Sequence, residues 1–167
     1  MASYFGTSSM IGVDLNNSST TALFGLNTKA FGSLDSEWQY CIATGTIATG
    51  QFVQINTQGT AIAITTAIIA NALVPMDIGV CQYTVPQGQY FWVPKRGQQL
   101  YVLCSGSLPT TVANGINAGG VLGTGLLGVS TCAGIFLEAA ATTVAASVTT
   151  ATLQWPRIVG IGTSVLG

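Results

Sequence analysis

The chain contains no histidine. This removes the commonest general base and metal ligand, and it makes a Ser-His-Asp triad impossible within the chain. Charge is almost as scarce. Four basic and five acidic residues make up 5% of the 167 positions, against about a quarter in a typical soluble domain. The basic residues, Lys29, Lys95, Arg96 and Arg157, include one adjacent pair. A phosphate-binding face needs a dense basic cluster, so direct nucleic-acid binding is not expected.

Long hydrophobic runs are missing too. The longest apolar stretch, 61–76, is broken by Thr65, Thr66, Asn71 and Pro75 and falls short of the roughly 20 residues of a spanning helix. The alternating ten-residue segments and aromatic girdles of an outer-membrane barrel are not found either. The first residues carry no basic n-region and no continuous apolar h-region. No membrane partner and no secretory leader are therefore expected. The four cysteines, Cys41, Cys81, Cys104 and Cys132, form no C-x-x-C. A four-thiolate zinc site would need irregular spacing, and two disulfides would need an oxidising compartment. Small buried thiols are the preferred reading, with no metal and no cofactor.

What is abundant is apolar or small. Hydrophobic residues reach 49%, there are 21 glycines, and the formal net charge is −1. Soluble domains usually rely on interspersed charge and a net charge away from zero. A surface this poor in ions is best kept covered by neighbours, which points to a non-enzymatic structural part of an assembly. The carboxylates offer little chemistry. Asp35 and Glu37 could mimic a catalytic pair, but a solvated strand start is the expected role. Gly123-Thr-Gly-Leu-Leu-Gly spells G-x-G-x-x-G, yet neither a following helix nor an acidic residue at the right distance is apparent, so no dinucleotide site is expected. The sequons at Asn16 and Asn17 are read as accidents of an Asn/Ser-rich stretch.

Texture divides the chain into an extended N-terminal arm, 1–33, and a β-rich domain, 34–167. The arm is polar with isolated apolar anchors, and a short helical turn is expected near Thr20–Leu26. Alternation then predicts strands at 37–43, with Trp38, Tyr40 and Ile42 on one face. Further strands are expected at 51–56, 61–65, 78–83, 90–94, 100–104, 134–139 and 152–157. A short helix or turn is expected at 66–73, a turn at Lys95-Arg-Gly-Gln, and a loop over 114–128. Turn signals every 8–14 residues imply an all-β fold, a single compact β-sandwich or barrel-like domain.

The consecutive Tyr90-Phe91-Trp92 must alternate between faces, so at least one large aromatic there is expected to leave the core. Several segments then carry a resemblance: Gly12-Val-Asp-Leu-Asn-Asn, Leu23-Phe-Gly-Leu-Asn-Thr, Ser36-Glu-Trp-Gln-Tyr-Cys-Ile-Ala, Gly88-Gln-Tyr-Phe-Trp-Val-Pro-Lys-Arg-Gly and the Ala-Thr-Leu-Gln-Trp-Pro of 151–156. Their order resembles the head-decoration, or capsid-cement, proteins of tailed phages. The resemblance implies a compact β domain on the outer surface of a virion, made in the host cytoplasm. It would bind the major capsid protein and itself, with a trimer favoured among homo-oligomers. The contact residues expected on the arm and domain are Tyr4, Phe5, Leu23, Phe24, Phe31, Tyr90 and Trp92. Other expectations kept open are a spike-base or tail component, and a glycan- or surface-binding β module using Trp92 or Trp155 as a stacking platform.

Overall fold

The computed structural model describes residues 13–64, 76–104, 116–118, 125–127, 132–138 and 147–158. They form ten strands and, among the described residues, no helix: β1 (Lys29–Gly32), β2 (Ser36–Ala43), β3 (Phe52–Ile55), β4 (Thr60–Ala63), β5 (Met76–Val80), β6 (Tyr90–Cys104), β7 (Ile116–Ala118), β8 (Gly125–Leu127), β9 (Cys132–Leu137) and β10 (Ser147–Ile158). The all-β expectation is met by a nearly closed, barrel-shaped sheet. Its pairings run β2–β4–β3–β5–β10–β6 and return from β6 to β2. Only the β2–β4 and β6–β8 pairs are parallel, and each is short.

Period-two alternation sorts the side chains into two cores. Cys41, Ala43, Val53, Ile55, Ala61, Phe91 and Val93 form one cluster. Trp38, Tyr40, Phe52, Ile78, Val80 and Trp92 point the other way into a second cluster, joined by Val13 and Leu15 from the first segment and by Leu100, Ile135 and Leu153. The first cluster is rich in small residues because β5 and β6 approach closely across it. A Cβ at Gly79 would overlap Val93 Cγ1 and lie 3.0 Å from the Pro94 carbonyl, though these two strands are not hydrogen-bonded neighbours. Burying a large apolar side chain stabilises by roughly 1.5–3 kcal/mol, and here both faces of several strands contribute. Much of the high apolar content is consumed in this way, so composition alone does not require a partner.

The double burial corrects one expectation. Phe91 and Trp92 are both buried, at 0% and 2% exposure, although they point to opposite faces. Neither leaves the core, because each face has a core of its own; Tyr90, at the start of the strand, is half-buried.

A second correction concerns Lys95-Arg-Gly-Gln, which is no turn. β6 continues through it and changes partners, pairing with β2 over 90–96 and with β10 over 96–104. The exchange needs irregular backbone. Glu37 opposes Arg96 while Trp38 opposes Pro94, leaving Lys95 as an inserted bulge residue. Gly97 and Gln99 then take positive φ, at 142° and 56°, as bulged strands commonly require. Proline is tolerated there because a bulge demands no ladder N–H.

The stretch 114–128, expected as a loop, contains β7 and β8, which pair antiparallel. Gly125–Leu127 inside the G-x-G-x-x-G sequence is strand rather than the start of a helix. Thr20–Leu26 shows bends and no helical turn, its Leu23 N–H being taken instead by the Tyr40 hydroxyl, as described below. Residues 29–32 of the expected arm form β1, paired with β2. The helix or turn expected at 66–73 lies outside the described residues.

Candidate functional site

Irregular backbone also shapes the most distinctive surface. β10 pairs Leu153 with Ile135 and Arg157 with Ala133, so Gln154, Trp155 and Pro156 oppose a single residue of β9. Trp155 rises from this bulge with φ 44° and is 50% exposed. Left-handed backbone is uncommon for a bulky residue and costs about 1–3 kcal/mol where it occurs. The β1–β2 hairpin adds a second such site. Its loop, 33–35, carries Leu34 at φ 55° and Asp35 at φ 56°, and Leu34 is 42% exposed.

The two irregularities meet. Phe31 on β1 opposes Glu37 on β2, Glu37 opposes Arg96 on β6, and Arg96 opposes Gln154 on β10. The Arg96 guanidinium lies 4.6 Å from the Trp155 ring centroid and forms an ion pair with Asp35. The Trp155 indole N–H donates to Glu37 Oε2 at 3.2 Å, while Lys29 Nζ donates to Glu37 Oε1 at 2.6 Å. Leu34, Asp35, Arg96 and Gln154 line one shallow depression. Phe31, 60% exposed, completes the patch.

Four of the nine charged residues of the chain, Lys29, Asp35, Glu37 and Arg96, are thus gathered around three exposed apolar side chains. Glu37 is buried rather than solvated, which corrects the expectation of a solvated strand start at this residue, while Asp35 is exposed and ion-paired to Arg96. Its hydrogen bond from Lys29 is the main influence holding its carboxyl below the usual 4.5, against the opposing effect of burial. An exposed Trp, Phe and Leu around an Arg and its ion pair is the composition of a protein-contact hot spot.

Elsewhere Lys95, Cys41 and Cys81 are committed to the fold. Lys95 is buried; its Nζ donates to the Ile78 carbonyl and to Asp77 Oδ1, each at 2.6 Å. Burial lowers its pKa, and Asp77 opposes that shift. Cys41 and Cys81 are buried free thiols, so a two-disulfide framework does not form. Burial pushes both up to about 12. Among the described residues no three His, Cys, Asp or Glu side chains are grouped as a metal site.

The contact residues expected from sequence scatter. Tyr4 and Phe5 lie outside the described residues. Phe31 joins the patch. Leu23 is exposed at a different place, beside Phe24. Phe24 is half-buried edge-on against Tyr40, with ring centroids 5.3 Å apart, and also meets Trp92. Tyr90 is half-buried and stacks on Tyr40 at 6.0 Å. Trp92 is 2% exposed, so it offers no surface to a neighbouring subunit and is not an exposed stacking platform; its edge only lines a small cavity beside Phe24 and Tyr90. Sequence reading missed Leu34 and Arg96 as contact residues. Trp155-Pro156 within a strand pattern was the available signal, since proline inside a strand marks an edge or a bulge.

The chain matches no known protein-family model, and no curated protein matches its sequence.

Proposed function

We propose that this protein is a non-enzymatic structural component of a virion, decorating the outer surface of a tailed-phage capsid and bridging major capsid subunits. The observation that carries the reading is the patch of Phe31, Leu34 and Trp155 around Arg96, which brings three exposed apolar side chains and an ion pair together on one surface. Two of these residues hold left-handed backbone, so the patch is displayed at a cost to the fold. Such strain is characteristic of functional positions. The resemblance of the sequence to capsid-cement proteins supplies the partner, and the homo-oligomer, a trimer by preference, supplies the second contact.

The mechanism is cumulative. A specific interface buries roughly 1,200–2,000 Å². Repetition of modest contacts over a symmetric lattice raises effective affinity without any single strong site. Incubation of the purified protein with shells lacking it tests the reading. Saturable binding at a fixed ratio to capsid subunits is the expected result, with shells that resist heat better once coated. Absence of stoichiometric binding overturns it.

A further inference from the structure

A second feature lies away from the patch, where residues 14–24 cross the sheet. They enclose a cavity of about 160 Å³. One wall is aromatic: Phe24, Tyr40, Tyr90 and Trp92. The other is polar: Asp14, Asn17 and the Ser18–Ser19 segment.

The polar wall is fixed in place. Ser19 and Tyr90 exchange both backbone hydrogen bonds, at 2.9 and 2.8 Å. The Tyr83 hydroxyl donates to the Asn17 carbonyl at 2.7 Å, and the Leu23 N–H donates to the Tyr40 hydroxyl oxygen at 3.1 Å. Asp14 accepts from the Asn16 N–H at 2.9 Å and from the Asn17 side-chain amide. Two groups on the aromatic wall remain unspent. These are the Tyr90 hydroxyl, on a half-buried side chain, and the Trp92 indole N–H, to neither of which another described side chain is tied.

Chemistry narrows the ligand. An anion has no counter-charge here, because Asp14 is the only ionisable residue on the polar wall. The Tyr40, Tyr90, Trp92 and Phe24 rings pack on one another at 4.9–6.0 Å, so nothing enters between them and a ligand lies beside the cluster; a small cation there would meet Asp14 alone and leave most of the cavity unfilled. A purely apolar ligand would strip water from the exposed Asp14 carboxylate and Asn17 amide without replacing it, which is costly. A neutral ring with an apolar face and a hydroxylated edge satisfies both walls. The volume is below the roughly 300 Å³ at which pockets for drug-sized ligands begin, so it accommodates one such ring.

We propose that this cavity binds a single sugar ring of a glycan, its C–H face against the aromatic wall of Tyr90, Tyr40 and Trp92 and its hydroxyls on Asp14, Tyr90 and Trp92. The inference is independent of the shell-binding role, because the patch and the cavity share no residue.

The test titrates the full-length protein with methyl glycosides of glucose, galactose, mannose and N-acetylglucosamine. Saturation-transfer NMR and tryptophan fluorescence provide the readouts. At least one sugar is expected to bind saturably in the millimolar range, and Tyr90→Phe and Asp14→Asn each to weaken it about tenfold, the equivalent of one hydrogen bond to ligand. Trp155→Ala serves as the control and should leave the affinity unchanged. The proposal is overturned if none of the four binds by tens of millimolar. It is also overturned if binding survives both pocket variants, or disappears instead in Trp155→Ala. Tyr90→Phe keeps the ring and the backbone bridge to Ser19, so a lost signal there cannot be ascribed to unfolding.

Discussion

Arg96 and Trp155 are locked together across β6 and β10, the guanidinium 4.6 Å from the ring centroid and the indole N–H tied to Glu37 beneath. The pair is held by geometry rather than by burial, since half of Trp155 faces outward. A cation–π contact at such a site stabilises by about 0.5–1 kcal/mol. Trp155→Ala should therefore shift unfolding by only about that amount. Its effect on shell binding should be larger, a loss of about tenfold or more, as expected of a hot-spot tryptophan. Parallel denaturation and co-sedimentation of the variant with shells would check both halves.

Leu34 offers a sharper separation of stability from function. Its φ of 55° disfavours any β-carbon by about 1–2 kcal/mol, whereas glycine accepts that backbone but loses more conformational entropy on folding. The two effects oppose each other, so Leu34→Gly should leave the melting temperature nearly unchanged while weakening shell binding. An equal loss of both would mean that the side chain serves the fold.

Gly79 should tolerate nothing larger. A methyl group there meets Val93 Cγ1 and the Pro94 carbonyl across the narrow interior. Gly79→Ala is expected to destabilise by about 1–3 kcal/mol, as overpacking does. Urea denaturation of the variant would show a lower midpoint.

Acid should weaken the fold partly through Glu37. Its folded-state pKa lies below the usual 4.5, mainly through the hydrogen bond from Lys29. The unfolded chain therefore takes up this proton first as pH falls. The stabilisation is fully present above pH 4.5 and is lost as pH drops through the folded-state value. Glu37→Gln should flatten that part of the profile when unfolding free energy is measured between neutral pH and acid.

Alkali should act through Cys41 and Cys81. Burial raises both thiols to about 12, so between about pH 9 and 12 the unfolded chain ionises first and stability declines. At neutral pH both thiols should resist alkylation in the folded protein and react readily once it is denatured. Peptide mass spectrometry after iodoacetamide treatment would locate the modified cysteines, and rapid labelling of either residue in the native state would contradict its placement.

The sequence by itself determined the all-β class, the positions of β2 to β4 and β9, parts of β5 and β10, and which residues of β2 share a strand face; the strand expected at 78–83 ends at Val80, and the one expected at 152–157 begins at Ser147. Alternation is a local property, written residue by residue in Trp38–Ala43 and Phe52–Ile55. It also excluded histidine chemistry outright. The tertiary structure decided which faces are covered. Trp92 is buried because Tyr40 and Phe24 reach it from distant positions in the chain, and nothing within 90–94 records their arrival. It also decided that β6 runs on through Lys95–Gln98, because a strand shared between β2 and β10 gains more from bending at bulges than from ending in a turn. Those bulges place Trp155 beside Arg96. A surface built where three strands exchange partners depends on pairings between residues up to 118 positions apart, and no local pattern encodes them.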